Sequence, residues 1–352
     1  MLIDKEAHTI HLSEKPNPHV VCIGQSGYGK TYFISRKMEN DISNDKKILV
    51  IDYSGSFTEK ELKKNNFRIA NTIISNPNEH PFYFEVSVKD NRKFAKDFTD
   101  ALINIWRITS YIQRTILLQA VQIQLAEYGY INLSKLYTLL KEQYVIEKVK
   151  KEEKERVENL SRLLMRMDTY ADISNIYFKC GNKKPKVKNK ISILQLSDFP
   201  KQQKEFLAEM MITLLWKEAI DSKCGRYDEI ILEEFQHLSM AKEGALYGLL
   251  QEGRKYGVAL TIATQFISRY SAEEQDAIMQ AGNILFFRPT MRDIDLCAGL
   301  IDKRKKGEWR NTLSKLQIGA AVLNGSFTVE GHLKVHTCPI YCKIISGKEE
   351  ER

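Results

Sequence analysis

Residues 24–31 read Gly24-Gln25-Ser26-Gly27-Tyr28-Gly29-Lys30-Thr31, a spacing of glycines, lysine and hydroxyl suited to gripping phosphate. Gly24, Gly27 and Gly29 let the backbone curl until its N–H groups point inward at an anion. Lys30 offers a charge to β- and γ-phosphates, and the Thr31 hydroxyl is a ligand for Mg²⁺. Hydrolysis also needs acids. Glu233-Glu234 follows the apolar run Ile230-Ile231-Leu232. There Glu233 is placed to hold Mg²⁺ through water, and Glu234 to orient the attacking water. Two acids opening a surface helix are the competing reading, and the phosphate loop upstream favours the functional one. Gln265 ends a further apolar run and is in reach of a γ-phosphate, unless it merely satisfies a strand end. Arg254, in Gln251-Glu252-Gly253-Arg254-Lys255-Tyr256-Gly257, has a guanidinium suited to bidentate phosphate contact. A surface ion pair is its alternative. The expected ligands are ATP and Mg²⁺.

These residues need a scaffold. Val20-Val21-Cys22-Ile23 reads as a buried strand leading into the phosphate loop, and Tyr32 to Met38 as the helix leaving it. Lys47 to Asp52, Lys190 to Leu196, Glu229 to Leu232, Ala259 to Ala263 and Asn283 to Phe287 read as further strands. Alternation with helical patterns gives an α/β core, whose sites gather at the carboxyl ends of the strands. Residues 95–178 differ. They are nearly free of glycine, and Phe98, Leu102, Ile105, Ile108 and Ile112 follow helical spacing, so an all-helical insertion is expected. The charged stretch from Lys148 to Glu158 reads as an exposed helix face. A helix is expected from about Lys201 to Asp221. Asn324-Gly325 predicts a C-terminal β-hairpin. The resulting division is 1–94 for the first part of the core, 95–178 for the insertion and 179–352 for the second part.

No apolar run approaches the roughly 20 residues that cross a bilayer, so no membrane partner is expected. Cysteines at 22, 180, 224, 297, 338 and 342 are scattered, which suits reduced thiols and a cytoplasmic setting. The net charge of +8 is mild; it concentrates in Lys183 to Lys190 and in Lys303-Arg304-Lys305-Lys306. Either cluster suits a polyanion or a solvated loop equally. His332, His336, Cys338 and Cys342 are metal-ligand types, but an extended chain holds the outer two about 30 Å apart. Only a fold-back at Pro339 would make them a zinc site.

The order of these motifs resembles the HerA/FtsK superfamily of motor ATPases, which includes the type IV coupling proteins. The resemblance covers roughly 19–85 and 188–345. It rests on Gly24 to Thr31, on Asp52-Tyr53-Ser54-Gly55-Ser56-Phe57 and on Ile231-Leu232-Glu233-Glu234. Glu252-Gly253-Arg254-Lys255-Tyr256-Gly257 running into Ala263-Thr264-Gln265 is its most specific block. It implies a RecA-like P-loop core of the ASCE class, with a mostly parallel sheet. It further implies a hexameric ring acting on double-stranded DNA, with ATP between subunits. By position Arg254 matches the arginine reaching in from a neighbour and Gln265 the polar sensor; Arg288 and Arg292 are further candidates. The family usually has Asp-Glu where this chain has Glu233-Glu234. From the short stretch before Val20, the N-terminal barrel of HerA proteins is expected to be absent or cut to a remnant. Three readings follow. One is a ring motor that translocates or unwinds duplex DNA, working with a separate effector such as a nuclease. Another is a nucleotide-switch scaffold gating such an effector. The last is a secretion-type motor.

Overall fold

The computed structural model describes residues 2–67, 70–150, 154–181, 190–330 and 334–345. His332 and most of the Lys183 to Lys190 cluster lie outside these residues, as do positions 151–153 of the charged stretch. The chain divides into two units, one of residues 1–74, 188–197 and 227–352, the other of residues 75–187 and 198–226.

The first unit holds six parallel strands in the order Asn283–Phe286, Val20–Ile23, Ala259–Thr264, Glu229–Leu232, Ile48–Asp52 and Ile191–Gln195. All but the last are buried along their whole length, as apolar strands covered on both faces must be. Gly24, Glu233 and Gln265 each follow directly on a carboxyl end of this block. The helix Lys30–Ser43 buries Phe33, Ile34 and Met38 against the same core.

Beyond Asn283–Phe286 the sheet continues antiparallel through Ala320–Gly325, Ile340–Ile344, Leu2–Ile3, Thr9–Leu12, Phe327–Val329 and Val335–His336. This corrects the hairpin expected at Asn324-Gly325. Gly325 remains inside a strand, opposite Asn283, and the next strand pairs instead with Thr9–Leu12. Its glycine serves close approach rather than a turn. A Cβ there would lie 2.7 Å from Asn283 Cα. Cys342 is buried in this extension, with its Sγ 3.5 Å from the Ala321 carbonyl oxygen. Among the described residues no cluster of three potential metal ligands forms.

The second unit is wider than the helical stretch 95–178. It pairs the parallel strands Phe82–Ser87 and Ile176–Gly181 and joins them through the helices Asn91–Trp106, Tyr111–Tyr128, Leu133–Lys150 and Lys154–Met167. The helix Lys201–Ser222 also belongs to it. Local chemistry explains the breaks. Asp90 and Ser110 cap helix starts by accepting from the Lys93 and Gln113 N–H groups, at 2.8 and 3.3 Å. Gly129, at φ 72°, ends the helix Tyr111–Tyr128 in the left-handed region. Phe84, Phe94, Phe98 and Phe178 form its aromatic core. Among the described residues no helix is long and apolar enough to cross a membrane.

Candidate functional site

The phosphate loop takes the shape its glycines permit. Gly24, Gly27 and Gly29 have φ of 152°, 81° and 103°. At Gly24 space matters as well as freedom, since a Cβ would meet Phe287 Cβ at 2.7 Å. Gly24 N–H donates to the Thr264 carbonyl (3.1 Å) and Gln25 N–H to that of Arg288 (2.9 Å), so both flanking strands hold the loop. The antiparallel extension braces its far side, where Gly319 N–H donates to the Tyr28 carbonyl at 3.1 Å.

The helix that follows starts at Lys30 with no side-chain cap and no acid in its first turn. Its free N–H groups and the positive end of its dipole are left to an anion. Lys30 is buried, and its Nζ donates to the carbonyl oxygens of Gly24 (2.7 Å) and Gln25 (2.9 Å). Burial lowers the pKa of its ammonium against the pull of Glu234 and Glu233.

Glu233 sits at the carboxyl end of the strand Glu229–Leu232, 6% exposed. Burial pushes its carboxyl pKa up, while the hydroxyls of Thr31 and Ser56 pull it down. Ser54 Oγ donates to Oε2 at 3.3 Å, and Oε1 is buried without a hydrogen-bond partner. An orphaned carboxylate oxygen beside a threonine hydroxyl has the donor chemistry of a Mg²⁺ site. Asp52 holds the loop that presents the two serines. Its Oδ1 accepts from Gly55 and Ser56 N–H at 2.8 and 3.0 Å, and its Oδ2 from Phe57 N–H at 2.9 Å.

Glu234 adopts φ 56°, a left-handed conformation unusual for a side chain of its kind and concentrated at functional sites. Its carboxylate accepts from Gln265 Nε2 at 2.7 Å and from Gln236 Nε2. Gln236 Oε1 in turn accepts from Thr264 Oγ1 at 3.0 Å. The strand Ala259–Thr264 lies between the loop strand and the acid strand, which brings Gln265 to Glu234.

Gln236 escaped sequence reasoning, because no spacing rule ties it to the acids, and Ser54 and Ser56 entered only within the block Asp52 to Phe57, with no role of their own. Gln236 Nε2 donates directly to the Glu234 carboxylate and holds it in place. Gln236→Ala is therefore expected to lower kcat for nucleotide hydrolysis roughly tenfold with KM unchanged. A steady-state titration showing parent kcat would remove Gln236 from the site.

Arg254 is not brought to this cluster. It is exposed, on the turn Gly253–Tyr256 at the opposite end of the strand Ala259–Thr264, roughly 20 Å from Gln265. Its Nη1 donates to the Pro16 carbonyl at 3.2 Å. The turn is packed on His19, whose Nδ1 accepts from Leu260 N–H at 2.9 Å. Burial, and then the Arg254 charge, push the His19 pKa down to about 4, so it stays neutral. Arg288 does reach the loop, with its guanidinium 5.5 Å from the Tyr28 ring centre. Arg292 is exposed.

The sequence matches the family profile described as the central domain of helicase HerA over residues 4–215. No curated protein sequence matches it. The fold is similar to that of VirB4 of Thermoanaerobacter pseudethanolicus, with 14% identity and a TM-score of 0.67, covering 99% of this chain and 96% of that one. It is also similar to the plasmid coupling protein TrwB in complex with the ATP analogue ADPNP, at 12% identity and TM-score 0.63, over 95% of this chain and 89% of that one. TrwB in complex with ADP and Mg²⁺ matches at 11% identity and TM-score 0.60, over 92% and 84%. At these identities the similarity is one of fold, that of RecA-like P-loop ATPases.

Proposed function

This chain belongs to the HerA central-domain family of P-loop motor ATPases, and we propose that it is an ATP-hydrolysing ring motor that translocates or unwinds double-stranded DNA. The observation that carries the reading is the buried, unpartnered Glu233 Oε1 beside Thr31, in front of an uncapped helix N-terminus. The N–H groups of residues 26–31 bind the phosphates, and Lys30 swings from its two carbonyls to the β/γ-oxygens. Thr31 Oγ, and Glu233 through water, would hold Mg²⁺, which would draw off phosphate charge. Glu234 accepts a proton from water as that water's oxygen bonds to the γ-phosphorus and the bond to the β-phosphate oxygen breaks. Gln265 touches both Glu234 and the γ-phosphate and so registers the break. Arg254 supplies its charge to a neighbour's nucleotide in a hexamer. Where strands are cut, a separate nuclease cuts them.

The test is ATP turnover with and without duplex DNA, beside a mass measurement. Duplex is expected to raise turnover severalfold, at a mass of six chains. A ring whose turnover ignores duplex would reject the motor and fit the nucleotide-gated scaffold.

A further inference from the structure

Asp293 stands at the head of the helix Ile294–Ile301, where an aspartate ordinarily caps its own helix by accepting from N–H groups of the first turn. This one does not. Its side chain is fully buried and turned across to the loop that follows Gln265, where Oδ2 accepts from the Ile267 N–H at 3.0 Å. Oδ1 is buried without a hydrogen-bond partner among the described residues. A forgone cap and an acid buried with one oxygen unpaired both cost stability. Such breaches of local rules are kept where a site needs the geometry that they secure.

The geometry secured here is that of the turn after Gln265. Thr264 Oγ1 accepts from the Phe266 N–H at 3.3 Å, and Asp293 accepts from the Ile267 N–H one residue later. Tyr270, at the end of the turn, stacks on Phe235, the chain neighbour of Glu234, with ring centres 5.1 Å apart. Between these anchors Gln265 keeps its Nε2 2.7 Å from Glu234 Oε1.

The segment that delivers Asp293 also holds the phosphate loop. The Arg288 carbonyl accepts from the Gln25 N–H at 2.9 Å, and the Pro289 carbonyl from Gln25 Nε2 at 2.8 Å. Asp293 N–H donates back to the Thr290 carbonyl at 3.0 Å, which shapes the stretch between. Residues 288–293 therefore grip the loop at one end and the Gln265 turn at the other.

We propose that Asp293 is a positioning residue for hydrolysis. Through the Ile267 N–H it sets the turn that aims Gln265 at Glu234, and residues 288–293 fix that turn against the phosphate loop. It acts through Gln265 rather than on the nucleotide, so the inference rests on the role given to Gln265 above.

The test is steady-state ATP turnover by the full chain, with a thermal melt of each variant. Asp293→Ser loses the reach to Ile267 but leaves a preferred cap residue at the head of Ile294–Ile301, which separates positioning from folding. It is expected to lower kcat about tenfold, with KM for ATP within about twofold of the parent and the melting temperature kept. Asp293→Asn retains an oxygen for the Ile267 N–H and is expected to turn over near the parent rate. Gln265→Ala alone is expected to be as slow as Asp293→Ser, and the double variant no slower, because both remove the same aim. Parent kcat in Asp293→Ser overturns the positioning, as does a double variant in which the two losses multiply. Asp293→Asn as slow as Asp293→Ser, or an Asp293→Ser chain that fails to fold, overturns it too. Gln265→Ala at the parent rate removes Gln265 from the chemistry and Asp293 with it. A slow Gln265→Ala beside a parent-rate Asp293→Ser rejects Asp293 alone and leaves the role of Gln265 standing.

Discussion

Subunits carrying Arg254→Ala are expected to bind ATP as the parent does and to hydrolyse it roughly 10³–10⁵-fold more slowly. The binding half follows from placement, since Arg254 lies at the far end of the strand from its own phosphate loop. The turnover half rests on a neighbour's nucleotide meeting that exposed guanidinium. One exposed hydrogen bond to Pro16 is lost, which costs the fold little. Lys30→Ala should do the reverse, losing ATP affinity while keeping a usable Arg254. Mixing the two inactive variants then restores partial turnover. An Arg254→Ala subunit binds ATP, and a Lys30→Ala subunit donates the arginine. A mixture that stays inactive despite demonstrated co-assembly ends the trans assignment.

Glu234→Gln is expected to bind ATP·Mg²⁺ tightly and turn it over about 10²–10⁴-fold more slowly, the loss of a general base. The substitution keeps shape, and Gln265 Nε2 still has an oxygen to donate to. Only the proton acceptor is removed. Calorimetry should show retained affinity while single-turnover kinetics show the loss. Turnover at the parent rate would mean that Glu234 does not activate water, and that its left-handed backbone has another cause.

The phosphate loop was legible because its eight residues are contiguous and its glycines, lysine and threonine each have one physical task. The acids were legible because an apolar strand runs straight into them. The clamp around Glu234 was not: Gln236 lies on a short turn, and nothing local distinguishes it from a surface glutamine. The antiparallel extension was misread because Asn324-Gly325 looks like a turn, whereas its glycine answers crowding from Asn283, 42 residues away in the chain. Thr9–Leu12 and Phe327–Val329 pair across almost the whole sequence, which no window of residues can reveal. The helix Lys201–Ser222 shows the same limit. Its periodicity was plain, but Phe206, Leu207, Met210 and Leu214 are apolar on a broad face, and periodicity does not name the partner. It packs with the second unit.

Gln265 follows the strand Ala259–Thr264 and Arg254 lies on the turn before it, and the strand pairs with Val20–Ile23 through 261–264 and with Glu229–Leu232 through 259–262. A strand so held is stiff along its axis. On the proposed roles, Gln265 meets the subunit's own nucleotide at one end, and Arg254 would meet a neighbour's at the other. In a ring, this one rigid strand would fix the distance between a subunit's own nucleotide and the arginine it would lend.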